Sequence, residues 1–96
     1  MPNNSHNSPD VPKQQLASLR QEIDHIDDQI CELLLHRMQV VEQVAELKRN
    51  EDIPILHSNR EAEILQRLTD GLTPQQAHDI ETLYRLLFEV SRKRQS

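Results

Sequence analysis

The chain contains one glycine, one cysteine, one tyrosine, one phenylalanine and no tryptophan in 96 residues, and each shortage removes a class of structure. Glycine-dependent turns and aromatic cross-strand pairs are the usual material of sheets, and with 2% aromatic residues there is almost none of it. Cys31 stands alone, so neither an intramolecular disulfide nor a cysteine-based zinc cluster can form, and a reducing, cytoplasmic setting is expected. No apolar run is long enough to span a membrane. The first fifteen residues, Met1 to Gln15, are polar, carry Pro2, Pro9 and Pro12, and lack the apolar stretch of a secretory signal. Basic residues are outnumbered 11 to 16, a net charge of -5, which disfavours nucleic acid as a field-driven partner. An anionic ligand would have to be held by a few local cations.

What the sequence does hold is leucine, glutamate, glutamine and arginine in abundance, the composition of an all-α protein. Residues 1–12 read as a disordered N-terminal tail without apolar periodicity, and 13–96 as one helical domain. From Leu16 the apolar positions run through Leu19, Ile23, Ile26, Ile30, Leu33, Val40, Val44 and Leu47 in steps of three and four, with Arg37 filling the gap. No glycine or proline interrupts this stripe before Pro54, which predicts a helix from about Lys13 to Arg49. From Leu16 to Lys48 it would measure about 48 Å at 1.5 Å per residue, whereas a compact chain of this length is only about 33 Å across. A domain this small also buries only about 60 to 65% of its unfolded surface. Both arguments point to a homodimer in which the same stripe on a second copy supplies the cover.

Asn50 to His57, with Asp52, Ile53 and Pro54, reads as a loop. Ser58-Asn59-Arg60-Glu61 then has the capping-box pattern of a second helix, with Ala62, Ile64, Leu65 and Leu68 facing the core and Gly71 as its stop. Thr73-Pro74-Gln75-Gln76 repeats the start signal, and a third helix is expected to bury Ala77, Ile80, Leu83, Tyr84, Leu87, Phe88 and Val90. The expected order is thus one long, one short and one medium helix.

Polar residues on apolar stripes carry the functional information, because burying them is costly unless a partner or ligand satisfies them. Arg37 occupies a stripe position, and Lys48, eleven residues on, returns to within about 20° of the same face. Their spacing of about 16 Å along the helix suits a small molecule with anionic groups. Arg37 could equally snorkel, or pair with a glutamate of a neighbouring helix. In the third helix the stripe continues into Ser91 and Gln95, which ordinary helix-end polarity explains as well. Arg60 and Glu61 open the second helix, where Glu61 could simply close the capping box on Ser58. Glu22 and His25 have Glu-x-x-His spacing, but the pattern occurs once and Ile23 holds the core face, so no metal is expected. Glu32, His36, Glu42, Glu46 and Arg49 read as a solvated face.

Taken together, Leu19-Arg20-Gln21-Glu22-Ile23-Asp24-His25-Ile26-Asp27, Leu34-Leu35-His36-Arg37, Lys48, Pro54-Ile55, Arg60-Glu61, and Ser91 with Gln95 four residues on make a chain that resembles the all-helical chorismate mutases over about residues 16 to 95. The resemblance implies an intertwined helical homodimer with two sites, each drawing on both chains. It also implies the [3,3] rearrangement of chorismate, a dicarboxylate of the shikimate pathway, to prephenate, without metal or cofactor. Transferred by position, Arg37 and the partner chain's Arg20 bind carboxylates, Lys48 and Gln95 donate to the ether oxygen, Glu61 accepts from the ring hydroxyl, and Arg60 and Ser91 help hold the ligand. One position departs: His57 stands where many members of that family have an aspartate for the hydroxyl. Isochorismate-pyruvate lyase, a pericyclic enzyme on the same scaffold, and a catalytically silent dimerisation or regulatory module are the alternatives. Whether a shikimate-pathway enzyme activates the chain is not legible in it.

Overall fold

The computed structural model describes residues 10–53 and 58–95, and every regular element among them is an α-helix: α1 Asp10–Asn50, α2 Ser58–Thr69 and α3 Pro74–Gln95. The order of long, short and medium helix is the expected one. Helix α1 begins at Asp10, three residues ahead of the expected Lys13, so residues 10–12 are helical and not part of a tail. Pro12 is accommodated because it lies in the first turn, where a backbone N–H has no intrahelical acceptor to miss, and Asp10 is favoured there by the helix dipole.

Helix α1 ends in a two-bond wrap. The Ile53 N–H donates to the Lys48 carbonyl at 2.8 Å and the Asp52 N–H to the Arg49 carbonyl at 3.4 Å, with Asp52 at a φ of 57°. This is the Schellman pattern, with aspartate in the left-handed position that glycine usually takes. Helix α2 ends before Gly71, at a φ of 78°, as the lone glycine predicted. At the start of α3 the Thr73 N–H donates to Gln76 Oε1 and the Gln76 N–H to Thr73 Oγ1, both at 3.1 Å, a complete reciprocal capping box with Pro74 as the first helical residue.

The chain divides into two compact units, Met1–His36 and Arg37–Ser96. In the first, the described residues form a helical stretch whose stripe of Leu16, Leu19, Ile23, Ile26, Ile30 and Leu33 is exposed within the single chain, from 47% at Leu16 to 67% at Leu33. In the second, Ala45, Ile64 and Phe88 are buried, with Leu65, Leu68, Ala77, Ile80, Tyr84, Leu87 and Val90 half-buried around them. Of the core residues expected in α2 and α3, two are exposed instead, Ala62 and Leu83, and the stripe residues Val40, Val44 and Leu47 of α1 are exposed as well. Ala62 lies about 160° around α2 from Ile64, and Leu83 about 140° around α3 from Phe88, so neither can reach the centre that those two residues define.

Candidate active site

The second unit holds a concave pocket of about 280 Å³. The last turns of α1 contribute Arg37, Val40, Val41, Val44 and Lys48, the first turns of α2 contribute Arg60, Glu61 and Ile64, and the end of α3 contributes Phe88, Ser91 and Gln95. Six polar residues singled out from the sequence therefore meet at one place. Arg20 is exposed and belongs to the first unit, and His57 lies outside the described residues.

Arg37 is held from two sides. Its Nη1 donates to Ser91 Oγ at 2.8 Å, and its Cζ lies 6.0 Å from the ring centroids of both Tyr84 and Phe88, which meet edge to face at 5.7 Å. These contacts fix the plane of the guanidinium while using one of its five N–H donors, which leaves the rest of the fork available to a carboxylate. The glutamate partner that would have made Arg37 an ordinary structural cation is not among its contacts with described residues. Ser91 Oγ gives its own proton to the Leu87 carbonyl at 2.9 Å, so its lone pairs serve Arg37.

Lys48, one face and eleven residues away, has no carboxylate of a described residue within ion-pair distance. Gln95 is the last residue of α3, and its Oε1 is buried without a donor among the described residues. A buried amide oxygen without a partner is uncommon in folded proteins. Arg60 is exposed and reaches Glu63 at only 3.7 Å, a pair that constrains it little. Glu61 accepts from Arg92 Nη1 through both oxygens, at 2.7 Å and 2.6 Å. Arg94 Nη1 similarly reaches Glu42 Oε1 at 2.8 Å, so one member of the expected solvated face is paired.

Arg92 and the Tyr84–Phe88 platform were not legible as site-supporting residues, because their partners Glu61 and Arg37 lie far away in sequence. For Arg92 a signal existed. It follows the buried Phe88 by four residues and so returns to within about 40° of the core side.

Three cations and one carboxylate line the pocket, a local excess of +2 (three minus one) in a chain whose net charge is -5. The apolar wall of Val40, Val41, Val44, Ile64 and Phe88 lowers the effective dielectric and strengthens those charges. The chemistry of such a lining suits a small dianion with an apolar body, to whose oxygens it offers N–H donors. Among the described lining residues there is no nucleophile with an adjacent base, since Ser91 directs its proton to a backbone carbonyl.

Comparison with known proteins places the chain in a family. The family model described as chorismate mutase type II matches residues 19–96. A bifunctional chorismate mutase/prephenate dehydratase of Aquifex aeolicus is 34% identical over 71 residues, covering 67% of this chain and 20% of that protein. A chorismate mutase of Methanocaldococcus jannaschii is 38% identical over 55 residues, covering 57% of this chain and 56% of that protein. The chain thus spans about a fifth of one curated relative and just over half of the other. No solved structure matches it at a significant level. With 78 of its 96 residues (19 through 96) inside the family match, and with six polar residues of that stretch lining one cationic pocket, the chain belongs to the chorismate mutase type II family.

Proposed function

We propose that this chain converts chorismate to prephenate. The observation that carries the reading is the pocket itself, where an immobilised Arg37 and the cations Lys48 and Arg60 face an apolar wall beside Gln95. The reaction is an intramolecular rearrangement: the ether C–O bond of the enolpyruvyl group breaks as a new C–C bond forms on the ring. No proton is transferred and no group leaves, so neither cofactor nor covalent intermediate is required. The residues have two tasks, to hold the reactive conformer and to stabilise the negative charge that grows on the ether oxygen.

Arg37 binds one carboxylate through the donors its Ser91 contact leaves open. Lys48 donates to the ether oxygen, and the Gln95 amide donates beside it as a neutral group. Glu61 accepts from the ring hydroxyl, with Arg60 assisting at the mouth. Arg37, Lys48 and Gln95 are thus the catalytic residues of the reading.

The second carboxylate is assigned to the partner subunit's Arg20 in an intertwined homodimer. Support comes from the apolar stripe of the first unit, Leu16 through Leu33, each of whose six residues is 47% or more exposed in one chain. Leaving six large aliphatic side chains in water forfeits roughly 1.5 to 3 kcal/mol for each one that burial would recover. A cytoplasmic setting fits the single Cys31, and no helix among the described residues is long and apolar enough to cross a membrane.

The test is to follow loss of chorismate absorbance and identify the product. Prephenate is expected. Release of pyruvate would favour the lyase chemistry of the same scaffold, and absence of turnover by a folded dimer would leave a silent module.

A further inference from the structure

Glu61 lines a pocket proposed to take a dianion, where a carboxylate on the wall opposes binding. The structure contains an answer to that conflict in a residue that does not line the pocket. Arg92 Nη1 sits 2.7 Å from one carboxylate oxygen of Glu61 and 2.6 Å from the other, joining α3 to α2 across 31 residues of sequence. The Glu61 side chain is only 21% exposed, so solvent screens its charge poorly and a nearby counter-charge matters. A carboxylate has about four lone-pair directions, and two are engaged by Arg92, which leaves the others for a hydroxyl of the ligand.

We propose that Arg92 is a positioning residue of this site, which cancels the charge of Glu61 from outside the pocket so that a dicarboxylate can bind beside a carboxylate still able to accept a hydroxyl. The proposal rests on the reading of the pocket as a chorismate site. It differs from a purely structural tie between α2 and α3 in one measurable way. Removing Arg92 alone leaves an uncompensated negative charge, whereas removing Arg92 and the charge of Glu61 together breaks the same tie and leaves none.

The experiment compares steady-state kinetics on chorismate for the parent, Arg92→Met, Arg92→Lys and the double variant Glu61→Gln/Arg92→Met, with circular dichroism and thermal unfolding as controls. Arg92→Met is expected to raise KM about tenfold, the order expected for one uncompensated charge near a dianion at intermediate dielectric, with a smaller change in kcat. Arg92→Lys keeps the charge and should stay within about threefold of the parent KM. The double variant should bind chorismate better than Arg92→Met although it has lost more contacts. Added salt should narrow the Arg92→Met defect, since a charge effect is screened and a packing defect is not. Should Arg92→Met fail to fold, Arg92→Gln and its Glu61→Gln double carry the same comparison at this half-exposed position. An active parent in which the single and double variants are equally impaired, or in which KM does not move, overturns the inference alone. A folded parent that does not turn chorismate over overturns the functional reading and the inference with it.

Discussion

The Arg37 guanidinium donates to the Ser91 hydroxyl at 2.8 Å across 54 residues of sequence, and Ser91 passes its own proton to the Leu87 carbonyl at 2.9 Å. The direction of these bonds assigns the roles. Ser91 is an acceptor for Arg37, anchored to its own helix, so in the proposed site the hydroxyl serves the ligand through the arginine that it holds in plane.

Substitutions at the two residues should therefore differ in kind. Ser91→Ala removes one charge-assisted bond from a buried hydroxyl to a half-buried guanidinium and should lower unfolding stability by about 1 kcal/mol or somewhat more, with a few-fold rise in KM. Arg37→Lys keeps the charge but loses the planar fork that meets Ser91, the aromatic platform and a carboxylate together, and should lower kcat/KM by about a hundredfold or more. Thermal unfolding with steady-state kinetics checks both. Equal effects of the two substitutions on kcat/KM would mean that the Ser91 contact, and not the fork, is what the site depends on.

The dimer reading makes a stricter demand. Light scattering should find no folded monomer at micromolar concentration, and Ile26→Asp or Ile30→Asp should unfold the chain, because a charge in the centre of the stripe prevents its burial. Arg20→Ala and Lys48→Ala should each be nearly inactive, the latter losing about 3 to 4 kcal/mol of barrier lowering as a donor at a developing oxyanion. Mixed dimers of the two should recover activity, since one of their two sites receives both intact groups. Heterodimers that form without regaining activity would place Arg20 in the site of its own chain or in none.

Why so much of this was legible in sequence follows from which signals are local. The three-and-four spacing from Leu16 to Leu47, the lone Gly71 and the Thr73–Gln76 box each act within one or two turns, and the structure agrees with them. The convergence of Arg37, Lys48, Ser91 and Gln95 was legible because stripe positions on different helices share one core. The Glu61–Arg92 and Glu42–Arg94 pairs were not, because complementary charges are plentiful in a chain with 28% charged residues and spacing cannot choose among them. Leu83 was misassigned for a related reason: an apolar residue at the edge of a stripe does not reveal whether its own chain covers it.

Two helix ends give a stability prediction with opposite signs. Gly71 has a φ of 78° and open space where a Cβ would stand, so Gly71→Ala meets no clash and suffers only the left-handed penalty, about 1 kcal/mol. Asp52 already carries that kind of penalty at a φ of 57°, and Asp52→Gly should be neutral to stabilising by about 0.5 kcal/mol once the greater freedom of the unfolded glycine chain is subtracted. Chemical denaturation of both variants decides it. A stabilised Gly71→Ala would show that the end of α2 relaxes out of the left-handed region.

The remaining prediction concerns Gln95, whose Oε1 is buried without a donor among the described residues at the end of α3. In the proposed reaction its amide gives a neutral hydrogen bond to the ether oxygen beside Lys48, and an amide donates at every ordinary pH. Glutamate is nearly isosteric but donates only when protonated; once ionised, it presents negative charge to an oxygen that is gaining negative charge. Gln95→Glu should therefore be slow at neutral pH and recover as the solution is acidified through the pKa of the new carboxyl. Lys48 lowers that pKa by favouring the carboxylate, while burial raises it by penalising the charge, so the direction of recovery is fixed and the midpoint reports which influence is larger. The sign is the informative part. A group needed as a carboxylate would lose activity on acidification, whereas a group needed as a donor gains it. The measurement is a series of kcat/KM against pH for the variant and the parent, with circular dichroism at each pH to confirm that both stay folded. A variant as fast as the parent at neutral pH, or one that slows on acidification while the parent does not, would falsify the donor role of Gln95 and leave Lys48 as the sole donor to the ether oxygen.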